Sequence, residues 1–201
     1  MWTRRFLRIG IAIAALISTI ARADDLVAIS LAHDSPAEQQ LERRLRALLS
    51  GNDLSRWTIT RRIVIDETVI PHSHPVLTLH ARHRNDDELL LSTYVHEQMH
   101  WFLASRPKQT AAAEAELRVL YPKIPVGFPE GSSDDDGNYE HLLVIYLEYR
   151  ADQDLMGELK AREVMQFFAN DHYTWLYEKV LAEPRVIGEL VRKYQLVPGK
   201  A

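Results

Sequence analysis

The spacing of apolar positions changes character along the chain. Leu26–Leu31 is a short apolar run that reads as a strand. Ser35-Pro36-Ala37-Glu38 then opens a helix, with Ser as N-cap, Pro at the first position and Glu at the third. Leu41, Leu45, Leu48 and Leu49 share one face of it to about Ser50, and Gly51 is placed to end it. Trp57–Ile70 alternates and is rich in Thr, Ile and Val. It predicts one or two strands, with a hairpin near Asp66-Glu67, before Pro71 and Pro75 break the pattern. Val76–Ala81 is a further strand. Beyond it the period is helical. Asn85 caps a helix reaching about Ala104, and a second runs from Thr110 to about Tyr121. Residues 122–138 are rich in Pro, Gly and Asp and form a long loop. Glu140–Leu159, 171–182 and 184–194 are helical. Strands followed by helices alone predict an α+β fold, a small mixed sheet and then a mainly helical part, in one domain over residues 24–201.

The first 23 residues stand apart. Arg4, Arg5 and Arg8 precede an apolar run from Ile9 to Ile20, and Ala21-Arg22-Ala23 follows it. That is the pattern of a cleaved secretory signal. The run is shorter than the roughly 20 apolar residues that span a bilayer. The expected destination is the periplasm or the outside, with no stable membrane insertion after cleavage. Loss of the segment's four arginines takes the net charge from −4 to −8. An acidic chain argues against a nucleic-acid partner, and nothing in the pattern requires more than a monomer.

Composition sharpens the chemistry. The chain has no Cys and nine His. Disulfides, thiolate metal sites and a Cys nucleophile are excluded, so any metal must be held by His, Asp or Glu. His96-Glu97-Gln98-Met99-His100 falls on the helix that ends near Ala104. Residues four apart on a helix share a face, so both imidazoles can reach one ion. Glu97, on the flank, can reach a water beside that ion; this is the H-E-x-x-H spacing of zinc hydrolases. Leu90, Leu91, Tyr94, Val95, Met99, Phe102 and Leu103 surround the motif, so its polar groups are expected to be buried and partnered. Downstream, His141, Glu148 and Asp152 form a polar stripe on the otherwise apolar 140–159 helix. One carboxylate of Glu148 and Asp152 can be a third ligand while the other fixes a ligating imidazole.

With H-E-x-x-H and a later E-x-x-x-D, the sequence resembles the zincin metallopeptidases, specifically the gluzincin branch. Glu148-Tyr149-Arg150-Ala151-Asp152 is also similar to the E-x-x-A-D of membrane-linked zinc endopeptidases, whose transmembrane helices this chain lacks. The resemblance covers residues 96–100 and 148–152 and the order of elements. It implies a zincin-like fold and a Zn²⁺ ion on His96, His100 and Glu148. It also implies Glu97 as general base and Asp152 behind the ligands. The 48 residues from His100 to Glu148 are more than the pattern usually has, and His141 is the other candidate third ligand. His172 and Tyr173 are the leading candidates for an oxyanion donor, with Tyr177 and His141 behind them. The expected function is an exported zinc-dependent hydrolase of a peptide or protein substrate, whose backbone would pair with the 76–81 strand. The alternatives are a non-catalytic zinc-binding or scaffold protein of the same fold, and an exported binding module in which His96 and His100 are structural. His72, His74, His80 and His83, around the 76–81 strand, read as solvated surface residues, and Asp134–Asn138 as a solvated loop.

Overall fold

The structure, a computed structural model, describes residues 27–199. The signal-like segment 1–23 lies outside them. Three strands, β1 (Ala28–Leu31), β2 (Arg62–Ile65) and β3 (Leu77–Leu79), form one sheet in that order. Both pairings are parallel, with Ala28 opposite Arg62 and Ile63 opposite Leu77. The mixed sheet and the hairpin at Asp66-Glu67 are therefore corrected. The chain leaves β2 in a long excursion and returns alongside it. One antiparallel bridge, His72 to Thr78, lies on the outer side of β3.

Helix α1 (Pro36–Gly51) joins β1 to β2. Ser35 Oγ accepts from the Glu38 amide at 3.2 Å, as the N-cap pattern predicts. The Glu38 carboxylate does more than cap. Fully buried, it accepts from the His33 amide at 2.8 Å and the Glu67 amide at 3.2 Å, pinning the ends of β1 and β2 together. The 57–70 segment forms only four residues of strand because a side chain serves the rest of its early backbone. Gln98, fully buried, accepts from the Ile59 and Thr60 amides at 2.8 Å each and donates to the Thr60 carbonyl at 2.9 Å.

The remainder is helical: α2 (Asp87–Ala104), α3 (Pro107–Leu120), α4 (Asp135–Met156), α5 (Glu158–Ala169), α6 (Thr174–Ala182) and α7 (Pro184–Lys193). Asp86 rather than Asn85 caps α2, accepting from the Leu89 amide. The loop before α4 is shorter than predicted because Asp134 is that helix's N-cap, accepting from the Gly137 amide at 2.7 Å. Helix α5 has no counterpart in the predicted elements. Helix α4 is the hub. Leu142, Leu143, Val144, Ile145 and Leu147 are all buried, and a helix apolar all round belongs inside a protein. It packs against α2, α3, α5, α6 and α7. The α2–α4 crossing brings the two sequence motifs together.

Candidate metal centre

Helix α2 is buried on nearly every side, so its polar residues lie in the protein interior. His96, Glu97 and His100 are 7%, 6% and 8% exposed. Across the crossing α4 supplies His141. The three imidazoles form a triangle with ring centroids 5.2 Å (His96–His100), 5.6 Å (His96–His141) and 4.8 Å (His100–His141) apart. One nitrogen from each lies within 4.8 Å of the others, so the group can hold a metal ion.

Each ring is held from behind. His96 Nδ1 is 2.8 Å from Glu148 Oε2, His100 Nδ1 is 2.9 Å from Glu140 Oε1, and His141 Nδ1 is 2.7 Å from the Gly137 carbonyl. A neutral imidazole that donates from Nδ1 presents Nε2 as a lone pair, the form a metal takes. Burial, and then the neighbouring His100, hold His96 far below the usual histidine range. Burial, then His100 and His96, bring His141 down to about 3. His96 and His141 therefore stay neutral at physiological pH. Three nitrogen donors with acceptors behind them fit a divalent transition metal and need no sulfur.

Glu148 stands behind His96 and outside the converging triad. It is fully buried and also contacts Tyr177 Oη at 3.1 Å and Ser92 Oγ at 2.7 Å. Ser92 Oγ is equally 2.7 Å from Asp152 Oδ2. A hydroxyl has one hydrogen, so it cannot donate to both carboxyl groups. One of the two must be protonated and donate to Ser92. Burial raises both, Glu148 to about 7 and Asp152 well above its ordinary value, the charge of Glu148 adding to the effect on Asp152. Glu148 accepts from His96 and Tyr177, which favours its anion, while Asp152 Oδ1 has no partner among the described residues. The proton therefore sits on Asp152, which donates to Ser92, which donates to Glu148.

The triad opens on a cleft of about 640 Å³. Glu97 lines it, and burial followed by the charge of Glu148 pushes its carboxyl up to about 8. His172 lines the cleft as well. Its Nδ1 is 2.8 Å from Asp171 Oδ2, and Asp171 Oδ1 accepts from Arg82 at 2.8 Å. Tyr173 packs on His141 at 4.4 Å between centroids and sits at φ 50°, a left-handed conformation costly for a tyrosine. Two backbone bonds follow the strained residue, Thr174 amide to Pro129 carbonyl and Trp175 amide to Glu130 carbonyl.

The outer edge of β3 is not open to a partner strand at its centre. His72 exchanges both backbone bonds with Thr78, at 3.1 and 2.8 Å. Trp101 anchors this strap, donating to the Ser73 carbonyl at 2.8 Å and stacking on His74 at 4.3 Å. Residues 70–73 thus form the cleft wall that the 76–81 strand was expected to form.

The structure gathers His96, Glu97, His100, His141, Glu148, His172 and Tyr173 around one cleft, with Asp152 behind Glu148. It sets the Glu148 carboxylate behind the His96 ring and His141, the other candidate third ligand, among the converging nitrogens. Glu140, Ser92 and Asp171 escaped the sequence reading. Ser92 had a signal, since 92, 96 and 100 form an i, i+4, i+8 polar stripe on an apolar helix. Glu140 and Asp171 had only their adjacency to a histidine. The solvated reading of His83 is also corrected, because it is 7% exposed. Compared with known proteins, the chain matches no family model, no curated protein and no solved structure.

Proposed function

We propose that this chain is an exported zinc-dependent hydrolase of a peptide or protein substrate, with a zincin-like site arranged around His96, His100 and His141. The observation that carries the reading is the set of three converging imidazoles, each backed at Nδ1, with Glu97 beside them and a cleft in front. When bound to these three nitrogens, a zinc ion supplies Lewis-acid polarisation of the scissile carbonyl and lowers the pKa of water toward 7. Glu97 accepts a proton from the attacking water at a carboxylate oxygen and returns it to the leaving amine. Its raised pKa suits a group that must first take a proton and then release it. His172, fixed by Asp171 and Arg82, can donate from Nε2 to the developing oxyanion only with a proton on each ring nitrogen, a form that the Asp171 carboxylate at Nδ1 favours, and the Tyr173 hydroxyl is the second candidate donor. Glu148 keeps His96 in its metal-binding tautomer, with Asp152 and Ser92 keeping Glu148 in place.

Purified without chelator, the protein is expected to carry about one zinc per chain, in line with a three-ligand site. His141→Ala is expected to lose it. Glu97→Gln is expected to keep the zinc and lose peptide hydrolysis by roughly 10²–10⁴-fold. Elemental analysis finding no metal in the wild-type protein overturns the reading. Zinc retained without cleavage of any member of a broad peptide library supports the non-catalytic metal-binding alternative.

A further inference from the structure

Eight of the nine histidines use a ring nitrogen in a hydrogen bond with another described residue. His83 is the ninth, and among the described residues neither of its ring nitrogens has a partner. Yet it is one of the buried ones, at 7% exposure. The ring stands on the wall of the cleft that the triad faces, where its unpartnered nitrogens keep access to solvent. The backbone fixes the ring there. A 3-10 turn (Ala81–His83) is capped by His80 Nδ1, which accepts from the Arg82 amide at 2.9 Å. The His83 carbonyl accepts from the Asp86 amide at 3.0 Å, leading straight into α2. Two aromatic edges hold the ring from the other side, Phe167 at 5.9 Å and Phe168 at 6.0 Å between centroids. Phe168 also packs on His172 and Tyr177, so the path from His83 to the centre is aromatic.

We propose that His83 is a specificity-determining residue that hydrogen-bonds an uncharged polar side chain of the substrate, a carboxamide or a hydroxyl. The proposal rests on the hydrolase reading above and adds the substrate class. The surroundings select against charge. Arg82 stands beside His83 and disfavours an ammonium group. Asp171 and Asp86 act on its ring, Glu97 and Glu148 line the same cleft, and these carboxyl groups disfavour a carboxylate. Arg82 is already paired with Asp171 and is not free to neutralise one. Burial, with Arg82 second, brings His83 down to about 4, so the ring meets the substrate neutral, able to donate from one nitrogen and accept at the other. An aliphatic stem packs against Phe168 while its polar end satisfies the imidazole. Once substrate covers the ring, an analogue that cannot pair with it would leave its nitrogens without partners, and such a site discriminates strongly against that analogue.

The test uses a series of hydroxamate-capped peptides that place Gln or Leu, similar in size, at successive positions. They are titrated calorimetrically into the zinc-loaded full chain, its His83→Leu variant and its His83→Gln variant. Wild type is expected to prefer Gln over Leu at one position by roughly tenfold or more. His83→Leu is expected to abolish or reverse that preference with zinc content unchanged, and His83→Gln to keep part of it. An unchanged Gln-to-Leu ratio in zinc-loaded His83→Leu overturns this proposal and leaves the hydrolase reading standing. A wild-type chain that binds no zinc, or binds zinc but none of the hydroxamates, overturns the reading of the centre and this proposal with it.

Discussion

A single hydroxyl hydrogen decides how the carboxyl groups behind His96 are charged. Ser92 faces Glu148 and Asp152 at the same 2.7 Å and can donate to only one of them. With the proton on Asp152, this residue acts as a neutral donor, and Asn has nearly the same shape and also donates. Asp152→Asn is therefore expected to keep zinc binding and to change stability by no more than about 0.5 kcal/mol. Glu148→Gln exchanges the anion that holds His96 Nδ1 for a neutral amide. It is expected to weaken zinc affinity by roughly 10–100-fold. Competition with a chromogenic chelator measures both. Equal losses in the two variants would place the proton elsewhere. The same asymmetry explains why the E-x-x-x-D pattern alone did not separate the two carboxylates. Both lie on one helical face at i and i+4, and only the depth of the α2–α4 crossing decides which of them touches His96.

Among the elements, the segment before α4 is the most sharply constrained. Asn138 ties residues 125–132 into a closed loop, donating to the Pro125 carbonyl at 3.0 Å and accepting from the Ser132 amide at 2.7 Å. A methyl group at Gly131 would overlap the Pro125 carbonyl oxygen and Asn138 Oδ1. Gly131→Ala is therefore expected to destabilise the protein by about 1–3 kcal/mol, since backbone must shift to admit it. The control is Gly51, at the end of α1, where an added methyl meets nothing within 4 Å. Gly51→Ala is expected to be neutral or to stabilise by up to about 1 kcal/mol. Denaturant unfolding of the two variants checks the contrast. These elements also show what local pattern conveys. The α1 cap, the α2 motif and the apolar α4 are legible because propensity, periodicity and burial agree there. The sheet is not. Its parallel order depends on Glu38 joining two strand ends and on Gln98 occupying the backbone of 59–60, contacts between residues 29 to 39 positions apart. Helix α5 was missed although its buried residues Ala161, Val164, Met165 and Phe168 have helical spacing. Which of His141 and Glu148 joins the converging nitrogens is a property of helix packing, which the spacing of the motifs alone does not convey.

For the whole molecule, burial of Glu97 makes the stability of the metal-free protein depend on pH. Its carboxyl is raised from 4.5 to about 8, so the folded state holds a proton that the unfolded chain releases. A raised acid contributes stability that is fully present below its unfolded pKa and is lost as pH rises toward the folded one. The metal-free protein therefore loses this contribution between about pH 4.5 and pH 8. Gln at position 97 has no proton to lose. Metal-free Glu97→Gln is expected to match the metal-free wild type near pH 4.5 and to exceed its melting temperature at pH 8, by on the order of 5 °C. Zinc in excess should shrink that difference at pH 8, because a cation beside the carboxylate favours its charged form. Thermal melts of both proteins across this range, with chelator and then with zinc, read the sign directly. A difference that stays constant with pH in the chelated proteins would mean that metal-free Glu97 does not sit in a buried, proton-holding state.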